Sequence, residues 1–467
     1  LEYNSTSVTL KISVQHSNIS PKLRQLTLPI TAITLATAYI ILKNKIRLKH
    51  KKPREEAIKA IIIAGIIIRI ILAPITMHVW DVTTMQEALY QYTTGQDPYK
   101  YVVDINKKLY EKTGLPLFYE GFTYPPHPLY IFTPTYLLYT LIAKDPTPIK
   151  SGHKFIQLDL TYPDIHLFLL LYKTPIIIAE AIIILILYKE NKIAAALYAS
   201  NPYPILISSV WGHFDPMVGL LLLLTAKTID KKPIIAGLTY GLSIMKPYTI
   251  ILAPLLLIHT LRKKTIHKFI AGAILPAIPV LHQLITNPYF IQSLSYHTKR
   301  QMGGANMLNI VHNIYSTQYI LEVSRIISII SWVIIAATII WLAKNKTPIK
   351  KAIVILMLTY LLVAPVNNEQ YLASTLPLIA LTDTIPILIT TTPITYAVFN
   401  SPALLYFTTP LFWHHTKLKQ AWKQAEETWI RTFQPAYPVI LYTLGAINAL
   451  ALLAYTVSYI KRKTKKI

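Results

Sequence analysis

Long runs of Ile, Leu, Val and Ala, separated by short basic or aromatic-rich stretches, dominate this chain. A helix crosses the bilayer core with about 20 mostly apolar residues. By that measure the chain predicts spans near 25–42, 60–77, 126–143, 164–188, 193–227, 233–261, 268–286, 323–343, 352–366, 371–389, 394–411 and 437–460. The two longest are expected to break. Asn201-Pro202-Tyr203-Pro204 and Trp211-Gly212 interrupt the first, and Lys246-Pro247 interrupts the second. Breaks at membrane depth are tolerated where they line a buried or wet cavity. The crossings between 126 and 227 do not alternate cleanly, so one of those segments is expected to be re-entrant or mis-bounded.

Composition sharpens this picture. The chain is 53% hydrophobic and 14% charged, with a mean hydropathy of +0.42, well short of the charge a soluble domain carries. That excludes a soluble enzyme, a disordered chain and a membrane β-barrel, whose strands alternate. The expected fold is an all-α, polytopic membrane protein of roughly 11–13 transmembrane helices.

The net charge is +25, and 26 of the 46 Lys and Arg residues fall in six short stretches between apolar runs, from Lys43–Lys59 to Lys461–Lys466. The positive-inside rule makes these cytoplasmic loops touching anionic lipid. With no soluble basic domain to carry it, a nucleic-acid partner is not expected. Stretches 1–24, 78–125, 287–322 and 412–436 then lie outside. Stretch 78–125 is rich in Tyr, Pro and Gly and predicts short amphipathic helices near Met85–Thr93 and Asp104–Lys112. It reads as a structured lid on the outer surface. Stretch 412–436 is amphipathic. Leu1 in place of Met is what removal of a leader would leave.

The absence of Cys excludes disulfides and thiolate chemistry. No phosphate-binding loop, dinucleotide fingerprint, zinc-protease or serine-hydrolase motif occurs, so nucleotide hydrolysis and zinc or serine hydrolysis have no support.

A few polar residues stand out against the apolar runs. Asp81, just after an apolar helix, can serve as a general base toward a hydroxyl or simply cap the next helix. Asp215, in Trp211-Gly212-His213-Phe214-Asp215, is an ionisable group inside an apolar run, and such groups are functional by default. Lys246 has no basic neighbour and precedes a helix-breaking Pro; a lone buried ammonium wants an anion, unless it snorkels to the interface. His297 and Arg300, with Lys299, form a cationic group suited to phosphate. Together they suggest an enzyme acting on a lipid phosphate. A transporter or lipid-linked-sugar flippase and a non-catalytic subunit of a surface assembly remain as alternatives.

In their order, these residues resemble the GT-C superfamily of integral-membrane glycosyltransferases, especially the GPI first-mannose transferase and the bacterial and archaeal polyprenyl-phosphate-dependent mannosyltransferases. The resemblance rests on Asp81 followed by Gly95-Gln96-Asp97-Pro98-Tyr99, on Tyr124-Pro125-Pro126, and on Asn201-Pro202 before Gly212-His213-Phe214-Asp215. It continues through Ala236-Gly237, Gly241 and Lys246, Tyr296-His297-Thr298-Lys299-Arg300, and Gln370-Tyr371 before Leu376-Pro377. It spans roughly residues 60–380. It implies a catalytic module there, preceded by an external N-terminus, an extra helix and a basic loop (1–59) and followed by C-terminal helices (381–467).

The resemblance further implies a polyprenyl-phosphate sugar donor, with mannose as the sugar, and a lipid, glycan or protein acceptor. Transfer would invert the anomeric centre at the outer face of the cell membrane. It makes Asp81 the base and Lys246, His297 and Arg300 the donor-phosphate ligands. Asp215, His213, Tyr124, Gln370 and Tyr371 would shape the site. Two departures stand out. Where the GPI enzyme has Asp-x-Asp, Val79 stands in the first position, and a lone carboxylate is a poor site for a hard cation; no metal or other cofactor is therefore expected. Many relatives carry Gln or Asn where His213 stands.

Overall fold

The computed structural model describes residues 55–113, 121–144, 146, 164–298, 303–304, 320–364 and 366–382. The expected segments at 1–54 and 383–467, including the extra helix, the C-terminal helices and the amphipathic stretch 412–436, lie outside the described residues.

The chain is an all-α membrane protein. In order the helices are α1 (Glu55–Leu72), α2 (Val79–Thr93), α3 (Pro98–Thr113), α4 (His127–Ile142), α5 (Ile165–Glu190), α6 (Lys192–Ser200) and α7 (Pro202–Ile205), which continues as a π-helical turn, Leu206–Trp211. Next come α8 (Asp215–Thr228), α9 (Pro233–Ser243), a 3-10 turn (Pro247–Leu252), α10 (Ala253–Arg262), α11 (Ile266–Thr286), α12 (Pro288–Thr298), α13 (Ile320–Lys344) and α14 (Ile349–Val363). A second 3-10 turn (Glu369–Ser374) leads into α15 (Leu376–Thr382). Among the described residues the strand content is a two-residue parallel pairing of Gly303–Gly304 with Val366–Asn367. Three described stretches, Ile165–Glu190, Ile266–Thr286 and Ile326–Lys344, are long and apolar enough to cross a membrane.

Ion pairs gather the basic turns at one end of the bundle. Glu55, opening α1, pairs with Lys192 at 2.9 Å and accepts a hydrogen bond from Tyr188 at 2.9 Å. Lys227 at the end of α8 pairs with Glu190. His259 near the end of α10 meets Asp230 at 2.9 Å, and Arg262 donates to the carbonyl of Ala343 at 2.7 Å.

With that end fixed, each long broken segment becomes a helical hairpin. Residues 192–211 leave the basic end as α6, α7 and the π-helical turn, and α8 returns from Asp215. Likewise α9 rises from Lys232 and the chain 247–262 returns. Proline sits in the first turn of α7, α8 and α9 and of the first 3-10 turn, where its missing N–H costs nothing. Asn191 caps α6 by accepting from the amides of Ile193 and Ala194. The two tips, Gly212–Phe214 and Ile244–Lys246, meet inside the bundle.

The ambiguous crossing is 126–143. Helix α5 runs antiparallel to α1, because Arg69 pairs with Glu180 and His166 bonds the carbonyl of Pro74 at 2.8 Å. The end of α4 meets the start of α5, where the Lys144 amide donates to Asp164 at 2.8 Å. Side-chain pairs Phe132–Tyr172 and Tyr139–Phe168 set α4 against the half of α5 remote from the basic end. So α4 begins at the level of the hairpin tips and never reaches the basic end. Removing it from the crossings lets the remaining passes alternate.

The lid expectation also needs correction. Its two helices exist but are longer than expected, and α2 does not lie on a surface: Val82 to Leu89 are buried in an unbroken run. Elsewhere, close packing depends on glycine. A Cβ on Gly237 would lie 1.9 Å from the carbonyl oxygen of Phe269, so α9 and α11 touch backbone to backbone.

Candidate functional site

The site is built where the two hairpin tips meet the start of α2. The π-helical turn closes its hydrogen bonds one residue further along the chain than an α-helix does, and it ends at Gly212 in the left-handed region, with φ +83°. Glycine adopts this at no steric cost. The reversal turns the next residues inward, and the His213 amide bonds back to the carbonyl of Ile207 at 2.9 Å.

His213, Asp215 and Lys246 are all buried. His213 Nδ1 sits against Asp215 Oδ2, and Lys246 Nζ lies 3.3 Å from that same oxygen and 3.3 Å from His213 Nε2. Tyr248 donates to Asp215 Oδ1 at 2.5 Å. The ammonium also faces three rings, with centroids 4.5 Å (Tyr124), 4.6 Å (Phe214) and 5.6 Å (Tyr371) away. A cation desolvated against aromatic faces is held by their quadrupoles. Lys246 is therefore not the lone ammonium of the sequence reading. Asp215, 31 positions upstream, supplies its counter-charge.

Beside this cluster, the first turn of α2 presents Asp81. Trp211 Nε1 donates to Asp81 Oδ2 at 2.5 Å, and His78 Nδ1 lies 3.2 Å from the same oxygen. His78 caps α2, accepting from the Asp81 amide at 3.2 Å, and its ring stacks on Trp211 at 4.5 Å. The Asp81 side chain is 24% exposed, so it borders an accessible space. Burial pushes its carboxyl upward, but His78, His213, the Trp211 indole and Lys246 together outweigh that and hold it below the usual carboxylate range. Burial, with His213 nearby, pushes His78 below the usual imidazole range against the opposing pull of Asp81.

Asp81, Tyr124, His213, Asp215, Lys246 and Tyr371 are thus brought together. Gln370 is buried one position before Tyr371, and its Oε1 has no hydrogen-bond partner among the described residues. Arg300 and the side chain of His297 lie outside the described residues. No three His, Asp or Glu side chains among the described residues converge as a metal site would need.

Residues 169–365, just under half of the chain, match glycosyltransferase family 87. The protein is a membrane glycosyltransferase. The matched stretch holds both hairpins of this glycosyltransferase, with His213, Asp215 and Lys246; Asp81 lies before it, and Gln370 and Tyr371 after it. No curated protein matches the chain significantly.

The sequence reading assigned no role to Trp211, His78 or Tyr248, although each stood beside a residue it singled out. It missed Lys173 entirely. This lysine of α5 is fully buried and donates to the carbonyls of Ala73 (3.0 Å), Thr76, Ser209 (2.6 Å) and Val210 (3.4 Å). It fastens the segment that leads into Asp81 to the turn that delivers Trp211. The available signal was a single charge in mid-helix, the same signal that marked Lys246.

Proposed function

We propose that this glycosyltransferase moves a sugar, mannose, from a polyprenyl phosphate to a hydroxyl acceptor on the outer face of the membrane, with inversion. The observation that carries this reading is the placement of a partly exposed carboxylate, Asp81, held by Trp211 and His78, beside the buried His213–Asp215–Lys246 cluster. In this reading Asp81 takes the proton of the acceptor hydroxyl, whose oxygen attacks the anomeric carbon from the face opposite the phosphate. The bond from that carbon to the phosphate oxygen breaks, and its electron pair leaves with the lipid phosphate. Lys246, with His297 and Arg300, neutralises that leaving group.

Asp215, His213 and Tyr248 hold Lys246 in place, so the charge is pre-organised before the donor arrives. The Tyr124 and Tyr371 rings face Lys246, and Gln370, next to Tyr371, would complete that wall. The site lies away from the basic end of the bundle, which supports an external location under the positive-inside rule. Residues 60–380 would form the catalytic module.

The test is transfer of radiolabel from polyprenyl-phosphate mannose to a native lipid extract, using the full chain in proteoliposomes. The wild type should transfer label, and Asp81→Asn should retain donor binding while losing about 10²–10⁴-fold in turnover. Transfer from another lipid-phosphate sugar alone would replace mannose. Equal turnover by wild type and Asp81→Asn would remove Asp81 as the base.

A further inference from the structure

A second concavity, separate from the Asp81–Lys246 cluster, opens where α3, α4 and the α11–α12 junction meet. Its volume is about 460 Å³, within the range of small-ligand sites, about 300–1,000 Å³. Three tyrosines contribute ring surface: Tyr92 from α2, Tyr130 from α4 and Tyr289 from α12. Tyr92 and Tyr130 meet edge to face at 5.8 Å and are 38% and 40% exposed.

The polar side of the pocket is rigid. Asn287 Nδ2 donates to Asp97 Oδ2 at 2.9 Å and to Gln283 Oε1 at 2.8 Å, and Asp97 Oδ1 accepts from the Tyr99 amide at 2.8 Å. Gln96 lies exposed at the rim.

We propose that this pocket is an acceptor subsite that binds a neutral sugar ring; the inference rests on the glycosyltransferase assignment above. Fixed carboxylate and amide oxygens with amide N–H donors match the alternating donors and acceptors of a polyol, and tyrosine faces suit the apolar face of a pyranose. The lining contains no Lys, Arg or His and does contain a carboxylate; the neighbouring Lys100 ammonium is engaged over the Tyr289 ring at 5.9 Å, so an anion is disfavoured. A lipid tail would strip water from the exposed Gln96 amide and from the Asp97 carboxylate while offering no hydrogen bonds in return.

The pocket also communicates with the reacting centre. Tyr99, in its wall, donates through Oη to the carbonyl of Tyr124 at 3.0 Å, and the Tyr124 ring faces Lys246. Tyr99 and Tyr124 thus connect the pocket wall to the donor site, and binding energy remote from the reacting hydroxyl can orient an acceptor that spans both.

The test titrates mannotriose, maltotriose and chitotriose into the detergent-solubilised full chain, read by saturation-transfer NMR. One trisaccharide should bind with a Kd of about 1–10 mM. Tyr130→Ala and Gln96→Ala should each weaken it about tenfold or more. The proposal is overturned if no trisaccharide saturates, or if binding survives Tyr130→Ala and Gln96→Ala. A transfer assay separates the two readings. If the wild type transfers sugar and Tyr130→Ala leaves the acceptor KM unchanged, the subsite falls and the enzyme stands; if no lipid-phosphate donor supports transfer, the parent reading falls.

Discussion

Two lysines, each buried in the same bundle, are treated in opposite ways. Lys173 is surrounded by backbone carbonyls, whereas Lys246 is met by a carboxylate, an imidazole and three aromatic rings. Carbonyl dipoles satisfy an ammonium while tying together the strands of chain that bear them, which makes Lys173 a fastener. A carboxylate and aromatic faces instead fix an ammonium in a space bordered by other functional groups, which makes Lys246 an electrostatic element of the site. The difference teaches that an intramembrane charge is informative through its partners, not through its presence.

The sharpest way to break this contrast is Lys246→Met. Transfer should fall about 10²–10³-fold, and stability should drop by about 3–5 kcal/mol, because Asp215 is left buried without its cation. Adding Asp215→Asn should restore most of the stability, measured by thermal denaturation, but not the rate. If the rate returns as well, Lys246 is merely structural and the contrast collapses.

Lys173→Met should cost less turnover, about 10–100-fold through misplacement of Asp81 and Trp211, with donor KM unchanged. A purely structural lysine would leave the pH profile alone; here the acid limb of kcat/KM should move.

Gly212→Ala should lower stability by about 1–3 kcal/mol. It forces a side chain into a backbone at φ +83° and places a Cβ 2.8 Å from Cε of Lys173, the point where the fastener meets the hairpin tip. An unchanged melting temperature would show that the tip is not clamped.

The gentlest change is Trp211→Phe. The indole hydrogen bond lowers the pKa of Asp81, so its loss raises that pKa. The carboxylate is then protonated at higher pH, and the acid limb of kcat/KM should shift upward. A downward shift would assign that limb to another group.

The broken segments were legible in the sequence because Asn-Pro, Trp-Gly and Lys-Pro interrupt apolar runs visibly. That each break reverses the chain was not legible, since hydropathy reports how apolar a residue is and not which way the helix runs. For the same reason 126–143 read as a crossing: its 16 helical residues are as apolar as a true span, and only its contacts along α5 place it. The candidate residues Asp81, Asp215 and Lys246 were found individually by their cost in an apolar setting. Their mutual pairing was hidden by the 31 positions between Asp215 and Lys246. Lys173 went unread because one charge barely alters the hydropathy of the 26-residue helix that carries it.

The shared footing of the two hairpins bears on how the protein is made. Both enter and leave at the basic end, so the charges at Lys192, Lys227–Lys232 and Arg262–Lys268 need never pass through the bilayer. Only the tips must be carried inward during biosynthesis, and the ionisable residues there, His213 with Asp215 on one and Lys246 on the other, are opposite charges that neutralise each other on arrival. The pairing that sets up the site thereby also eases the insertion of the segments that form it.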